Sequence, residues 1–258
     1  MISNGKFYES QFEEATIELL REAHWQYAFG DDIHRKYTDP LIEEDLRNFL
    51  TVQYKDKNLT TSEMDSIVAN LRNTGGQNDY YALRNAFLLY RDGYDFAYSD
   101  GRDNPFRLEY IDFEHPDHNI FRCVNQFVME QGRENRRPDI LLFINGIPVC
   151  IIELKNPTKQ NATIHDAHTQ ICTRYMRDIP ALLKYCALAV ISDGAKNALG
   201  TTYTPFEFFY EWKKIENEDK AGKGLDTLRT LIRGALSPER ILSLIHISEP
   251  TRPERTSY

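Results

Sequence analysis

The stretch from residue 137 to 157, "RPDILLFINGIPVCIIELKNP", constrains the fold more than any other. Asn145-Gly146 separates two apolar runs, and both residues tolerate the positive φ that a two-residue hairpin turn needs. The runs are therefore expected to be neighbouring antiparallel strands. Three charges stand at the open end of this otherwise apolar pair: Asp139 on the first strand, Glu153 and Lys155 on the second. Side chains alternate along a strand, so Glu153 and Lys155 share one face and Leu154 takes the other. The place of Asp139 depends on register. A plain two-residue loop pairs Ile144 with Ile147 and sets Asp139 opposite Ile152, on the wrong face. One extra residue, in the loop or as a bulge, sets Asp139 opposite Glu153. Pro148 lacks the N–H of a regular ladder, so an irregularity near the turn is expected on independent grounds.

In the shifted register the two carboxylates start from Cβ atoms roughly 5 Å apart, a span that one hard divalent cation can bridge. Mg²⁺ suits carboxylate oxygens, keeps several waters, and can polarise a phosphodiester while acidifying an attacking water. The Lys155 ammonium would position that water or stabilise the developing charge. The tripeptide Glu-x-Lys also occurs at Glu211–Lys213 and Glu218–Lys220, in helix-like or linker sequence without chemical meaning. Glu153 and Lys155 differ in following the apolar "VCII" and in having an aspartate at the far end of the hairpin partner. A structural ion pair at a strand end is the competing reading, since buried charges persist only when paired or metal-bound.

Around the hairpin, "SQFEEATIELLREA" predicts a first helix, with Ser10 and Glu13 at capping-box spacing. Further helices are expected after Pro40, over "TSEMDSIVANLRN" and over "DYYALRNAFLLYRDG", so that residues 40–92 form a helical insert. From Phe106 the period changes, and "FRLEYIDF", "NIFRCVNQFVME" and "DILLFI" are expected as antiparallel strands. "ATIHDAHTQICTRYMRDIPALLKYC" reads as a helix broken near Pro180, followed by the strand "CALAVISDG". The fold class is α+β or mixed α/β around one sheet. Residues 216–224 read as a polar linker before a last amphipathic segment. His165 and His168, at i and i+3, could hold a transition metal, but no third ligand is evident.

A net charge of −8 with 31 basic residues excludes nucleic-acid binding by bulk charge, and any such site must be local. A local excess exists: Arg133, Arg136, Arg137, Lys159, Arg174 and Arg177 crowd the hairpin's charged end in sequence. Of these, Arg136, Arg137, Lys159 and Arg174 are the candidate DNA-backbone contacts, against the alternative of an ordinary mixed surface. The four cysteines form no C-x-x-C pair. They are expected as free thiols of a cytoplasmic protein. No signal-peptide pattern or membrane-length apolar run is present.

With "RPDI" followed by "IELKNP", the chain resembles the PD-(D/E)xK nucleases, and more closely the N-terminal nuclease domain of the type I restriction endonuclease R subunit. The likeness extends in order through "FEEATIELL", "YAFGDDIHR", "YIDF", "VNQF", "NRRPDILLFINGIP", "RYMRDIPALLKYCALAVISDG" and "GALSPER". It implies a restriction-endonuclease-like central sheet flanked by helices, occupying residues 1–220. It also implies a Mg²⁺-dependent DNA endonuclease without its own sequence specificity, acting on double-stranded DNA with separate methylation and specificity subunits. By position, Asp139, Glu153 and Lys155 would be the catalytic triad, with Asp139 and Glu153 on the metal; whether one or two ions bind stays open. The family's glutamine-to-tyrosine motif would fall on Gln170 and Tyr175, but their spacing is five where the motif has four. Glu14 would be the extra acidic residue that related nucleases place near the metal, the alternative being an exposed helix glutamate. A non-catalytic DNA-holding or subunit-docking domain is the alternative function. No G-x-x-x-x-G-K-[ST] loop occurs, so ATP belongs to motor domains that this chain lacks. Residues 221–242 would lead towards that motor, and residues 243–258 read as a non-native tail with nothing to pack.

Overall fold

The computed structural model describes residues 4–155, 163–212 and 225–248, with side chains from Ser10 onward. Its centre is a six-stranded sheet in the order β1-β4-β7-β8-β9-β10. The strands are β1 (Gln26–Phe29), β4 (Phe121–Asn125), β7 (Ile140–Ile144), β8 (Ile147–Leu154), β9 (Leu188–Ser192) and β10 (Asn197–Gly200). Two short hairpins stand apart from it: β2 (Tyr94–Phe96) with β3 (Phe106–Leu108), and β5 (Met129–Gln131) with β6 (Glu134–Arg136).

Every residue of β7 and β8 is buried, because helices cover both faces of the sheet. One face carries α1 (Asn4–Glu22), the insert α2 (Glu43–Gln53), α3 (Thr61–Asn73) and α4 (Asp79–Asp92), and the C-terminal α8 (Leu225–Leu231) and α9 (Pro238–Ile247). The other carries α5 (Ile164–Thr169), a π-helical turn over Gln170–Tyr175, α6 (Met176–Asp178) and α7 (Pro180–Leu183). The α+β, mixed class expected from the sequence is the class observed. The insert helices start where their caps require: Thr60 and Glu63 form a reciprocal capping box on α3, and Asn78 caps α4. Gly93, at φ 69°, stops α4.

Several local expectations are corrected. The sheet is mixed rather than antiparallel, because β1 pairs with β4, and β8 with β9, in parallel. The aromatic run "WQYAFG" supplies β1, and β10 was not anticipated. "FRLEYIDF" is a strand only over Phe106–Leu108. "NIFRCVNQFVME" breaks at Gln126, whose φ of 54° ends β4. The first helix begins at Asn4, so Ser10 is interior to it and not its cap. Helix α9 runs through residue 242, where packing was expected to stop. Ile245 is fully buried and Leu244 packs on the core, while Ile247 is 72% exposed. Residues 249–258, the 216–224 linker, Lys159, Lys213 and the Glu218–Lys220 pair lie outside the described residues.

Candidate active site

The hairpin solves its register problem in two stages. Asn145 and Gly146 turn the chain with φ values of 50° and 76°, and Ile144 pairs with Ile147 as in a plain two-residue loop. Phe143 then pairs with Pro148, but Leu142 pairs with Cys150, so Val149 is bulged out of the ladder. From there Leu141 faces Ile151 and Ile140 faces Ile152. The next step of that register sets Asp139 across from Glu153. The irregularity expected beside Pro148 is present, and it puts both carboxylates on the face covered by α5.

The turn is anchored deep in the protein. Asn145 is fully buried; its side-chain carbonyl accepts from Ile120 N at 2.7 Å, and its amide donates to Tyr110 O at 2.9 Å and Asn119 Oδ1 at 2.8 Å. At Gly146 a Cβ would lie 2.1 Å from Ile42 O, so glycine is required there by space as well as by φ.

At the charged end, Asp139 Oδ2 accepts from Leu154 N at 2.8 Å, fixing the aspartate to the backbone between Glu153 and Lys155. Glu153 is 1% exposed, and its Oε1 accepts from Lys155 Nζ at 2.8 Å. Its Oε2 is buried with no hydrogen-bond partner among the described residues. Burial pushes the Glu153 carboxyl well above its ordinary value, the Asp139 charge pushes the same way, and Lys155 and the Tyr175 hydroxyl only partly oppose them. Two acidic groups thus share a buried site with one ammonium and the Tyr175 hydroxyl.

Lys155 Nζ also donates to Gln170 Oε1 at 2.7 Å, and Gln170 Nε2 donates to the Tyr175 hydroxyl at 2.7 Å. A spacing of five is awkward on an α-helix, where i and i+4 share a face. Here the helix widens into a π turn over Gln170–Tyr175, which absorbs the extra residue and returns Tyr175 to the face of Gln170. Asp139, Glu153, Lys155, Gln170 and Tyr175 are therefore brought together, with Tyr175 buried beneath them.

The other expected residues are placed differently. Glu14 is exposed on α1, and its neighbour Glu13 points inward: its carboxylate accepts from Asn125 Nδ2 at 2.7 Å and Gln126 Nε2 at 2.8 Å. Gln126 N in turn donates to Asp139 O at 3.1 Å. The helical period carried this signal, since Glu13 lies on the stripe of buried Thr16, Ile17 and Leu20 while Glu14 lies beside it. Arg136 is committed to Asp178 at 2.7 Å and Glu134 at 2.5 Å, whereas Arg137 and Arg174 are exposed. His168 spends its Nε2 on Thr204 O, and both His165 and His168 pack on Phe206.

Comparison with known proteins identifies the family of the chain. The sequence matches the family described as "Type I restriction enzyme R protein N terminus" over residues 6–208. Over 249 residues it is 29% identical to the type I restriction enzyme HindI endonuclease subunit of Haemophilus influenzae, covering 92% of this chain and 23% of that protein. A Methanocaldococcus jannaschii protein, provisionally named the MjaIXP endonuclease subunit of such an enzyme, is 30% identical over 80% of this chain and 20% of its own length. The SsaAORF53P endonuclease subunit of Staphylococcus saprophyticus is 25% identical over 78% of this chain and 20% of its own length. The chain therefore spans less than a quarter of these curated relatives. On a match that covers most of its length, this chain belongs to the family of type I restriction enzyme R protein N-terminal regions.

Proposed function

We propose that this chain is a Mg²⁺-dependent DNA endonuclease domain of the PD-(D/E)xK kind, hydrolysing phosphodiester bonds without sequence specificity of its own. The observation that carries the reading is the convergence of Asp139 with the buried Glu153 carboxyl, whose Oε2 accepts no hydrogen bond of normal geometry among the described residues and whose charge burial and Asp139 both disfavour. A carboxylate in that state is unfavourable unless a cation shares it. The donor set, all oxygen and doubly acidic, fits Mg²⁺ better than softer metals. Bound by Asp139 and Glu153, Mg²⁺ would supply a Lewis acid for the phosphodiester and lower the pKa of an attacking water.

The protein's own groups do the rest. Lys155 is held between Glu153 and Gln170, so its ammonium is aimed rather than free to wander, and it can orient a water or stabilise charge building on the phosphoryl oxygens. Tyr175 fixes Gln170 from below. The exposed Arg137 and Arg174 are suited to DNA-backbone phosphates, and Lys159 would join them. Arg136 serves instead to tie β6 to α6 through Asp178. In the type I enzyme, methylation and specificity subunits would supply recognition, and ATP-driven motor domains would supply translocation, with cytoplasmic DNA as substrate.

The test is nicking of supercoiled plasmid by the 258-residue chain in Mg²⁺ or in EDTA, alongside calorimetric Mg²⁺ binding. Mg²⁺-dependent nicking lost in Asp139→Ala, Glu153→Gln and Lys155→Ala is the expected result, with Mg²⁺ binding lost in the first two. Cleavage that persists in EDTA, or in any of these variants at the unmutated rate, would refute the assignment.

A further inference from the structure

A second cluster of ligand-type side chains lies at the opposite end of the hairpin. The loop between β3 and β4 contains Asp112, His115 and His118, whose ligand atoms all fall within 4.8 Å of one another. The run of β8 from Ile147 to Glu153 sets this end roughly 20 Å from Glu153, at about 3.3 Å per residue. It is not an outlying part of the nuclease site.

Asp112 is the built part of the cluster. Its side chain is 6% exposed; Oδ1 accepts from Glu114 N at 3.0 Å and His115 N at 2.9 Å, and Oδ2 accepts from Gln53 Nε2 at 3.0 Å. Those bonds fix the carboxylate and turn the remaining capacity of Oδ2 outward. Two imidazoles converge there by the same atom: His118 Nδ1 is 3.0 Å away and His115 Nδ1 is 3.5 Å away. The rings lie nearly parallel, 4.8 Å apart at 21°. One remaining lone pair accepts only one Nδ1–H, and His118 takes it, leaving the His115 Nδ1 facing Oδ2 without a hydrogen bond there. A metal ion satisfies both, because it takes the Nδ1 lone pair of each neutral ring together with Oδ2. Ligands held about 2.0–2.2 Å from a tetrahedral ion stand roughly 3.3–3.6 Å from one another, close to the Oδ2–Nδ1 separations already present, so little adjustment is needed. The rings, 58% and 50% exposed, are free to tilt, and solvent can fill the remaining positions.

We infer that Asp112, His115 and His118 form a binding site for a borderline first-row transition ion of the Zn²⁺ type, coordinated through Oδ2 and two Nδ1 atoms. Imidazole nitrogen with one carboxylate selects Zn²⁺, Co²⁺ or Ni²⁺ over Mg²⁺. The Gln53 amide and the two backbone N–H groups hold the ligand carboxylate in place. The site sits on the seat of α9, since His246 stacks on Phe113 of the same loop at 5.3 Å. Bound metal therefore braces the loop against which the C-terminal helix packs.

The test uses the whole chain carrying Glu153→Gln, which removes the nuclease carboxylate from competition, titrated with Co²⁺ and followed by its visible absorption, then displaced with Zn²⁺. Saturation at one equivalent is expected, weakened roughly ten-fold or more by His115→Ala or His118→Ala and unchanged by His168→Ala. Long-range ¹H–¹⁵N spectra of the unsubstituted protein with Zn²⁺, in excess Mg²⁺, should move the Nδ1 resonances of His115 and His118. No saturable Co²⁺ signal, a signal lost only with His168→Ala, or shifts confined to Nε2 would overturn the assignment.

Discussion

Glu153→Gln should make the metal-free protein more stable while removing the proposed nuclease activity. Glu153 is 1% exposed, its Oε2 has no partner among the described residues, and the Asp139 charge faces it. The amide keeps the shape and the Lys155 contact through its carbonyl, but carries no charge to desolvate and none for Asp139 to repel. Leaving a buried polar group unsatisfied costs about 1–3 kcal/mol, and more when it is charged. Some of that returns when the charge is removed, offset by the weaker attraction to Lys155, so a net gain of about 1–3 kcal/mol is expected in EDTA. For a domain of this size each kcal/mol moves Tm by roughly 2–4 °C. The pH dependence has a definite sign. The folded carboxyl titrates above its ordinary value of 4.5, so ionisation penalises the native state only above that pH. The two proteins should be equally stable below about pH 4.5 and should diverge as pH rises towards the folded pKa. Mg²⁺ reverses the order: at ten times its Kd it adds about 1.4 kcal/mol to the unsubstituted protein and nothing to the variant. Thermal melts from pH 4 to 8, with EDTA and with Mg²⁺, measure all of this. A variant less stable than its parent at pH 7.5 in EDTA, or equally stabilised by Mg²⁺, would refute the reasoning.

Deleting Val149, the residue bulged out of the ladder, leaves Leu142 opposite Cys150 and so Asp139 opposite Glu153; Mg²⁺ binding by calorimetry should persist, with a melting loss equivalent to about 1.5–3 kcal/mol for the lost buried side chain, and a folded deletion variant that no longer binds Mg²⁺ would refute this register. Tyr175→Phe removes the acceptor of Gln170 and a hydroxyl beside Glu153, so cleavage should slow several-fold and stability should change by about 1 kcal/mol; unchanged kcat would remove Tyr175 from the positioning chain. Ile245→Ala, in the turn of α9 beyond residue 242, should cost about 2–4 kcal/mol in chemical denaturation because the side chain is fully buried; a neutral result would return this turn to the status of an unpacked tail.

The helices of the insert were legible because they are local: Thr60 with Glu63, Asn78 and Gly93 act within a few residues of themselves. The same holds for the Asn145-Gly146 turn, and for the presence of Asp139, Glu153 and Lys155 at its open end. Strand partners were not legible in this way. β1 pairs with β4 across nearly a hundred residues, and its "WQYAFG" carries no alternation that names a partner. Glu13 and Glu14 differ by the 100° between successive helix positions, which sets Glu13 on the buried stripe, but only packing shows that it meets Gln126.

The sequence alone determined which residues could do chemistry here and that one end of one hairpin would hold them, because turn geometry and strand alternation are short-range. It left open which face Asp139 takes and whether Tyr175 reaches Gln170. Tertiary structure decided both, through one inserted residue each: the bulge at Val149 and the π turn over Gln170–Tyr175. Each insertion costs local hydrogen bonding, so it persists only where burial of the strand or helix against the rest of the core outweighs that cost. That balance is a property of the packed protein and not of any short stretch of it.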